Sequence, residues 1–562
     1  MNRDFMRLLV TGAFAFSCLL LYQRWVAHQQ ERIEDILVGD SPPSEAAARP
    51  PAAAAPAPAA SDEAVPEVTQ QLTTPASDPE DELPAATPAP AAAAPAAVVA
   101  TIANETVSAS FNAGGDLVRL EMPMHRVSLN GPPLPLFLDT PSHHLYPQTG
   151  LLGDGLPTHQ DAGWRYSEDL SSPGQAASVW TGGGVRITRS YVLTPEPYQL
   201  SVVHVVENNS QNQIAGHVYY QFIRDGAEPL SYASTIPSFY GAAIYTEADK
   251  YQKFDFDEFS DSYPKRVEDG WIGFIQRYFM AVWLDSGEAR ENSMRNLPNG
   301  DVAIGIIRPL APVPPGAAAT VAQVMYAGAL EQRILKNIDE ELGRNLSLAV
   351  DYGWLTLLAA PLFSLLDLIH QGVGNWGLAI VLLTVLIKLV FFPLSAKSYR
   401  SMARLRKVTP QLQAIRERYK DKREEFQKAT MELYRKEKIN PFGGCLPILI
   451  QIPVFIALYW MLLEAVELRQ APLGLWIGDL SSPDPFYVLP LLLGVAMYGQ
   501  FKLNPAPTDP TQAMIMKIMP VGFAAFSIIM PSGLVLYWIA NTALSIAQQW
   551  QITRSIDGPR RK

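Results

Sequence analysis

Long apolar segments occur in two parts of this chain of 562 residues. One short segment, residues 6–22, lies near the N-terminus, and a closely spaced set begins at Trp354. The second set contains three polar residues within apolar surroundings, Lys388, Gln451 and Asn541. Because a polar side chain in a lipid-facing helix has no water to bind, such residues generally face a protein interior or a wet cavity. The pattern predicts a membrane-embedded helical bundle with a polar interior.

Five C-terminal transmembrane helices are predicted, in addition to an N-terminal anchor, at residues 376–394, 446–463, 486–501, 514–530 and 534–547. Several are shorter than the ~20 residues that a hydrocarbon core of about 30 Å requires. Four prolines are expected to interrupt them, Pro447, Pro453, Pro490 and Pro520. Short, interrupted spans predict locally thinned membrane. The preceding segment, residues 354–370, is apolar but amphipathic and contains Pro361, so we expect it to be broken there and to lie in the membrane interface.

The first 100 residues predict an anchor and a tether. Arg3 and Arg7 precede the apolar run and no small-residue cleavage site follows it, so we interpret residues 1–25 as an uncleaved transmembrane anchor. Lipidation at Cys18 is a less favoured alternative. Residues 26–100 form an Ala/Pro-rich linker, with 22 Ala and 13 Pro between residues 41 and 100, which predicts disorder. With Cys445 as the only other cysteine, no disulfide framework is expected.

Residues 101–330 show the alternation of an antiparallel β-sandwich. Apolar residues share one parity in three stretches: Val185, Ile187, Tyr191 and Leu193; Tyr198, Leu200, Val202 and Val206; and Val218, Tyr220 and Phe222. Four histidines lie in this domain without metal-ligand spacing, His143, His144, His204 and His217, and we interpret them as surface or core residues. Residues 331–375 are predicted to form connecting and interfacial amphipathic helices, including a polar helix at residues 330–348.

Charge predicts the orientation of the domains. Residues 395–440 contain 14 Lys/Arg and 6 Asp/Glu, a net charge of +8. The rest of the chain carries −19, and the whole chain −11. By the positive-inside rule this segment, a predicted helical hairpin with Thr409–Pro410 as a cap or a kink, lies in the cytoplasm, as do both termini, including the basic tail at residues 553–562. The sandwich is then periplasmic. The hairpin is equally consistent with a merely solvated surface and with one that binds anionic lipid, ribosomal RNA or a nascent chain.

No sequence motif points to catalysis. Residues 372–377 match G-x-G-x-x-G but lie between apolar stretches without a preceding strand, and no Walker A, H-E-x-x-H, C-x-x-C or G-x-S-x-G match occurs. We therefore expect a protein that is not an enzyme and has no cofactor, no metal site and no small-molecule substrate.

Lys388 lies five residues before Pro393, which places its Cα about 7 to 8 Å from the cytoplasmic end of its span. A lysine can nearly reach that interface by snorkelling, so its position alone does not prove a cavity. Thr384 lies one helical turn away, and Gln451 and Asn541 belong to other spans. Three spans with a polar residue at depth favour one shared wet concavity.

Two long motifs resemble a known family. One covers residues 440–459, with the sequence NPFGGCLP followed by QIPVFIALY, and the other covers residues 526–549 and contains PSGLVLYW. Both closely resemble the YidC family of bacterial membrane-protein insertases, and the layout of the whole chain resembles its Gram-negative branch. The resemblance implies an insertase core at residues 376–552 whose five helices enclose a hydrophilic groove open to cytoplasm and lipid.

The resemblance also implies the residues of that groove: Lys388, Thr384, Gln451, Ile452, Tyr537, Trp538 and Asn541. Many relatives have Arg at the position of Lys388, and lysine keeps the charge but loses the bidentate fork. Some relatives have Tyr at the position of Trp538, whose indole can donate one hydrogen bond.

The expected function is insertion and chaperoning of nascent membrane proteins in the bacterial inner membrane, alone or with the Sec translocon. The expected partners are nascent membrane proteins, the ribosome, the Sec translocon and anionic phospholipids. Two alternatives are a solute transporter, although the membrane half shows no internal repeat, and a periplasmic glycan receptor anchored by inert helices.

Overall fold

A computed structural model describes residues 97–140, 143–226, 239–256, 265–284, 287–419, 422–437, 446–503 and 510–557. The predicted N-terminal anchor, the linker up to residue 96, both cysteines, the first part of the NPFGGCLP motif and residues 558–562 of the basic tail lie outside these residues. The described chain forms two compact units, which divide between Ala349 and Val350.

The first unit is a β-sandwich of two nine-stranded sheets, as the alternation predicts. The strands of one sheet are, in spatial order, β1 (Ala100–Ala103), β2 (Ser108–Phe111), β3 (Leu117–Arg126), β4 (Pro133–Thr140), β5 (His143–Leu152), β10 (Ile214–Arg224), β17 (Val302–Val313), β16 (Arg290–Asn296) and β13 (Lys265–Val267). The strands of the other are β12 (Lys250–Phe254), β11 (Tyr240–Thr246), β14 (Trp271–Gln276), β15 (Phe279–Leu284), β18 (Ala318–Ala329), β9 (Gln199–Asn208), β8 (Val185–Leu193), β7 (Gln175–Gly182) and β6 (Arg165–Tyr166). Neighbouring strands in the described ranges pair antiparallel.

Aromatic side chains from both sheets meet inside the sandwich. Trp283 on β15 stacks on Phe222 of β10 with ring centroids 4.7 Å apart, and it contacts Tyr220 at 5.4 Å. All three side chains are fully buried. Large rings bury more apolar area than any other side chain, so this contact holds the two sheets together. Most positions that the alternation assigns to the interior are buried: Val185, Ile187, Tyr191, Tyr198, Leu200, Val202, Val206, Val218, Tyr220 and Phe222, with Leu193 half-buried.

Strand β10 departs from simple alternation because it is buried on both faces between Val218 and Arg224. On its second face, the Tyr219 hydroxyl accepts a hydrogen bond of 2.8 Å from the backbone N–H of His159, whose ring Nδ1 lies 2.6 Å away. His159 belongs to the irregular segment after β5, which therefore covers this face of the sheet. A covering loop has no periodicity that sequence analysis can detect.

Two of the four histidines named in the sequence analysis, His204 and His144, have polar partners that are distant in the sequence. His204 is fully buried, and its ring nitrogens lie 3.4 Å from Thr149 Oγ1 and 3.2 Å from the Tyr220 hydroxyl. His144 Nε2 lies 2.8 Å from Asp301 Oδ2. These histidines act as structural residues of the domain.

Two helices follow the sandwich in sequence. Helix α1 (Gln332–Leu342) is shorter than predicted, because Gly343 adopts the left-handed conformation with φ 64° and caps it. Helix α2 (Thr356–Val373) ends at Gly374 and runs through Pro361 without interruption, so the predicted break there is wrong. The hydrogen bond that proline cannot make would go to the carbonyl of Leu357, which lies in the exposed first turn.

The second unit contains seven further helices in the described residues: α3 (Trp376–Val390), α4 (Phe392–Arg418), α5 (Arg423–Lys436), α6 (Leu446–Glu464), α7 (Val488–Leu503), α8 (Pro510–Phe526) and α9 (Ser532–Asp557). Pro453 and Pro520 lie inside continuous helices, and Pro447 and Pro490 lie in first turns, where a missing N–H costs little. The expectation that prolines interrupt these helices is therefore wrong. Helix α9 also continues ten residues beyond the predicted end at Ala547.

By length and composition, one helix in the described ranges, α2, is long and apolar enough to cross a membrane by itself. Helix α3 and residues 392–405 of α4 pass the same test together, but they are bent by 68° at Phe391. The apolar parts of α6, α7 and α8 are shorter.

Helices α4 and α5 pack against each other through an apolar cluster. Val408, Leu412 and Leu433 are buried in it, and Leu405, Ile415 and Tyr434 pack around them. Helix α4 runs through Thr409 and Pro410, and the Thr409 hydroxyl donates to the carbonyl of Leu405 at 3.1 Å. Thr409 is therefore not an N-cap, because its side chain binds within a helix that has already begun at Phe392.

Candidate functional site

Helix α9 carries polar side chains at intervals of three or four residues, at Asn541, Ser545, Gln548 and Gln549. This spacing places them near one side of a helix. Helix α9 packs against α3, α4, α6 and α7, and Ser545 and Gln549 are both only 4% exposed. The longest helix near the C-terminus therefore carries a polar stripe into contact with its neighbours.

Gln451 on α6 binds this stripe directly. Its Nε2 donates a hydrogen bond of 3.0 Å to Asn541 Oδ1. Gln451 is also a hydrogen-bond partner of the Tyr537 hydroxyl. Three residues predicted for the site thus meet, although Gln451 and Asn541 lie 90 positions apart in the sequence.

Lys388 on α3 points towards the same stripe. It is 7% exposed, and its Nζ donates a hydrogen bond of 2.8 Å to Ser545 Oγ. Tyr399 on α4 also hydrogen-bonds to Ser545, and Gln548 Nε2 lies 3.5 Å from the Lys388 carbonyl. The ammonium therefore faces a neighbouring helix, and the snorkelling alternative does not describe this conformation. We refer to Lys388, Tyr399, Gln451, Tyr537, Asn541 and Ser545 as the polar cluster.

Few acidic residues lie on the helices α3, α4, α6, α7, α8 and α9. Helices α3, α7 and α8 contain no Asp or Glu, and the acidic residues of α4, α6 and α9 are confined to their C-terminal ends, at Glu417, Glu464 and Asp557. A buried charge without a charged partner is costly. The cluster therefore pairs a cation with neutral acceptors and leaves its charge uncompensated by these helices.

Two predicted site residues lie beside the polar cluster. Thr384 is 2% exposed, and its hydroxyl donates to the carbonyl of Ile380 within α3 at 2.7 Å. The hydroxyl of Thr384 is therefore satisfied by its own helix, one turn before Lys388. Ile452 follows Gln451 on α6 and is 43% exposed, so it lies at the surface of the bundle.

Trp538 forms an aromatic group next to the cluster. It stacks on Phe455 of α6 with ring centroids 6.0 Å apart and contacts Phe523 of α8 at 4.5 Å. Its indole Nε1 is buried and has no hydrogen-bond partner in the described part of the chain. The expected use of the indole as a donor is therefore not seen, and Trp538 acts here through its apolar faces.

The segment between α6 and α7 covers one end of the bundle. Asn375, the N-cap of α3, donates from Nδ2 to the carbonyls of Pro472 at 3.0 Å and Leu473 at 3.3 Å. At the start of α9, Ser532 donates from Oγ to the carbonyl of Ser482 at 2.7 Å. Buried Ile477 and Leu480 fill the interior of this segment. The N-terminal ends of α3 and α9 are thereby tied to a folded cap.

Sequence reasoning did not identify Ser545, Tyr399 or Gln548. Ser545 lies one turn after Asn541, so continuing the four-residue spacing would have found it. No comparable signal marks Tyr399, because it lies in a polar, basic stretch.

Comparison with known proteins agrees with this architecture. Residues 368–559 match the family model described as 60Kd inner membrane protein, and residues 99–365 match the model described as YidC periplasmic domain. The "Membrane protein insertase YidC" of Methylobacillus flagellatus is 42% identical over 565 residues, which cover 99% of this chain and 98% of the relative.

The chain belongs to the YidC family of membrane protein insertases.

A second YidC relative, from Nitrosospira multiformis, is 45% identical over 474 residues and covers 82% of each chain. A solved structure titled as an active YidC insertase with its first transmembrane domain resolved has 19% identity and a TM-score of 0.39, covering 80% of this chain and 91% of that chain. Family membership assigns this chain to membrane protein insertion in the inner membrane. It also identifies the β-sandwich as the periplasmic domain of the family.

Proposed function

We propose that the polar cluster receives the polar or acidic flank of an incoming membrane segment while the apolar part of that segment enters the lipid. The observation that carries the proposal is the inward position of Lys388, 7% exposed and bound to a neutral hydroxyl. A buried ammonium without a carboxylate partner attracts a carboxylate more strongly than an ion already paired. The incoming substrate supplies that partner.

Insertion by this route exchanges hydrogen bonds. The side chains of the cluster bind one another in this conformation, Gln451 to Asn541 and Lys388 to Ser545. A polar substrate flank replaces these internal partners with its own groups, so the side chains remain satisfied before, during and after passage. A polar site of this kind lowers the desolvation barrier that the flank meets in hydrocarbon.

The driving force comes from the substrate. Each favourable apolar residue in a span contributes a few tenths of a kcal/mol on insertion scales, which sums to several kcal/mol over about 20 residues. No covalent step is required, and the protein acts as an insertase and chaperone that lowers a barrier, without cofactor chemistry.

The proposed topology follows from charge. We place the basic α4–α5 segment and both termini in the cytoplasm, because their Lys and Arg residues obey the positive-inside rule. The basic surface then faces the ribosome, emerging nascent chains and anionic phospholipids. Action with the Sec translocon is part of the proposal, as is a boundary of the insertase core at residues 376–552.

The test compares Lys388→Glu with Lys388→Arg in cells depleted of the native insertase. Substrates carry either an acidic translocated tail or the same tail with Asn and Gln in place of the acids. Arginine keeps the positive charge, so we expect retained insertion of both substrates, whereas glutamate repels the acidic tail and selectively blocks that substrate. Equal insertion of the acidic substrate by both variants would refute the role of the charge.

Site-specific photocrosslinking identifies the path directly. Probes at Thr384, Gln451 and Trp538 are expected to capture stalled nascent chains, because these positions lie in or beside the polar cluster. A probe at Leu491 on α7, which is 68% exposed, is the matched control for nonspecific contact with substrate already in lipid. Equal capture at all four positions would argue against a defined path.

A further inference from the structure

The hydroxyl of Ser545 has a defined direction in this structure. It donates its proton to the carbonyl of Asn541, one turn earlier in α9, at 2.7 Å. A serine hydroxyl has one proton and two acceptor lone pairs. Since the proton is committed to the backbone, only the lone pairs remain for other groups.

Lys388 binds the oxygen of Ser545, which is also a hydrogen-bond partner of Tyr399. An ammonium has three donors and no acceptor, so the 2.8 Å contact between Lys388 Nζ and Ser545 Oγ has a single direction, from lysine to serine. The backbone bond of Ser545 aims its acceptor side at the ammonium. Serine is 4% exposed at this position, which limits competition from water.

Lys388 lies close enough to a helix end to have an outward alternative. The residue is in the last turn of α3, which ends at Val390. A lysine so near a helix end can extend its side chain towards the interface and regain water. The inward conformation therefore needs a specific acceptor to hold it, and Ser545 provides that acceptor from another helix.

We propose that Ser545 is a positioning residue that holds the ammonium of Lys388 inward, between α3 and α9, and thereby sets the preference of the site for acidic substrate flanks. The inference rests on the proposed function of Lys388. One hydrogen bond to Ser545 leaves two N–H donors on the ammonium for a substrate carboxylate. Serine thus orients the charge without neutralising it. A carboxylate at position 545 would neutralise it.

The test uses two isosteric variants of the full-length protein, Ser545→Thr and Ser545→Val. Threonine and valine have the same shape, and only threonine keeps the hydroxyl. We expect Ser545→Val to reduce insertion of a substrate with an acidic translocated tail by about five- to tenfold, the ratio expected for one hydrogen bond to a charged group that is partly replaced. Ser545→Thr should remain within about twofold of the wild type.

A second substrate distinguishes positioning from a structural role. The same tail with its acids replaced by Asn and Gln should be inserted equally by both variants, because it gains nothing from the ammonium. Ser527→Ala is the matched control, since Ser527 is 1% exposed and donates to the carbonyl of Ala524 at 2.8 Å. We expect it to affect neither substrate.

The outcomes separate this inference from the proposed function. The positioning role is wrong if Ser545→Val reduces insertion of both substrates equally. It is also wrong if Ser545→Val reduces insertion of neither substrate while Lys388→Glu still blocks only the acidic one. In both cases the role of Lys388 stands. If Lys388→Glu inserts the acidic and the neutral substrate equally well, the proposed function itself is wrong. Adding Ser545→Val to Lys388→Ala should cause no further loss of acidic-tail insertion, and an additional loss would also overturn the inference.

Discussion

Gln451 and Asn541 satisfy each other across two helices, with 3.0 Å between the amide nitrogen of one and the amide oxygen of the other. An amide that loses a hydrogen-bond partner in apolar surroundings is costly to bury. Together they form a polar contact inside the bundle. In the proposed function, a polar substrate group replaces one of the two amides as the hydrogen-bond partner of the other.

Replacing one member of this pair is expected to cost more than replacing both. Gln451→Leu removes the side-chain partner of Asn541, and Asn541→Leu leaves Gln451 with the Tyr537 hydroxyl as its remaining partner. Double-mutant cycles within membrane bundles give about 0.6 kcal/mol for such a contact, up to ~1.7. Unfolding in detergent of the two single variants and the double variant measures the coupling, and strictly additive losses would show that the pair contributes nothing.

Trp538 is expected to tolerate phenylalanine but not alanine. Its Nε1 has no partner in the described part of the chain, so removing the N–H removes an unsatisfied donor, while the stacking on Phe455 and Phe523 is largely kept. We expect Trp538→Phe to lie within about 1.5 kcal/mol of the wild type and Trp538→Ala to lose ~3–5 kcal/mol. Thermal unfolding in detergent measures both, and a large loss for phenylalanine would show that the indole nitrogen has a partner.

Asn375 has two separable roles. Its Oδ1 accepts from the N–H of Leu378 and caps α3, whereas its Nδ2 donates to the carbonyls of Pro472 and Leu473. Asn375→Asp keeps the cap and loses the two donors, so we expect protease cleavage near residues 472–476 to accelerate without loss of α3. Asn375→Ala removes both roles and costs a further ~1 kcal/mol of helix stability. Equal cleavage rates in Asn375→Asp and the wild type would contradict the tie between the cap and α3.

The sandwich is expected to depend on pH through His144. Its hydrogen bond to Asp301 raises the pKa of His144 against the opposing effect of burial, and Asp225 and Asp139 add attraction. A raised folded-state pKa stabilises the fold below the unfolded pKa of about 6.5, and that contribution disappears as the pH rises through the folded-state value.

The measurement compares the wild type with His144→Gln. Burial raises the pKa of Asp139 and His144 lowers it, so the difference between the two proteins measures His144 together with its coupling to Asp139. The Tm gap between the two proteins should be larger near pH ~5.5 than near pH ~8.5. A gap independent of pH would mean that His144 does not titrate through its contact with Asp301.

The sandwich could be predicted from sequence because burial alternates with every second residue on strands such as β2 and β9. Prediction failed where a second layer covers a strand, as at Tyr219, since the loop containing His159 is not periodic. The end of α1 was placed too late, because Gly343 caps the helix earlier. A break was expected at Pro361, through which α2 continues. The end of α9 was placed too early, because the helix continues beyond its apolar residues after Ala547.

In the candidate site, residues with unusual polarity for their surroundings were visible in the sequence. Lys388, Gln451 and Asn541 stand out against apolar neighbours, and the fold brings them to one helix. Ser545 was missed because a serine in a helix carries little signal by itself. Which partner each polar group selects depends on how α3, α6 and α9 are arranged, and that arrangement is not encoded in any one segment.

Most contacts of the polar cluster are made through a single rod, α9, whose 26 residues extend over about 39 Å. These contacts require that Tyr537, Asn541 and Ser545 keep their relative angular positions around the helix axis. Inserting one residue after Tyr537 would turn everything beyond it by about 100° and move Asn541 and Ser545 away from Gln451 and Lys388 together. This stretch should therefore tolerate a change in length less well than a conservative substitution at any one of these positions.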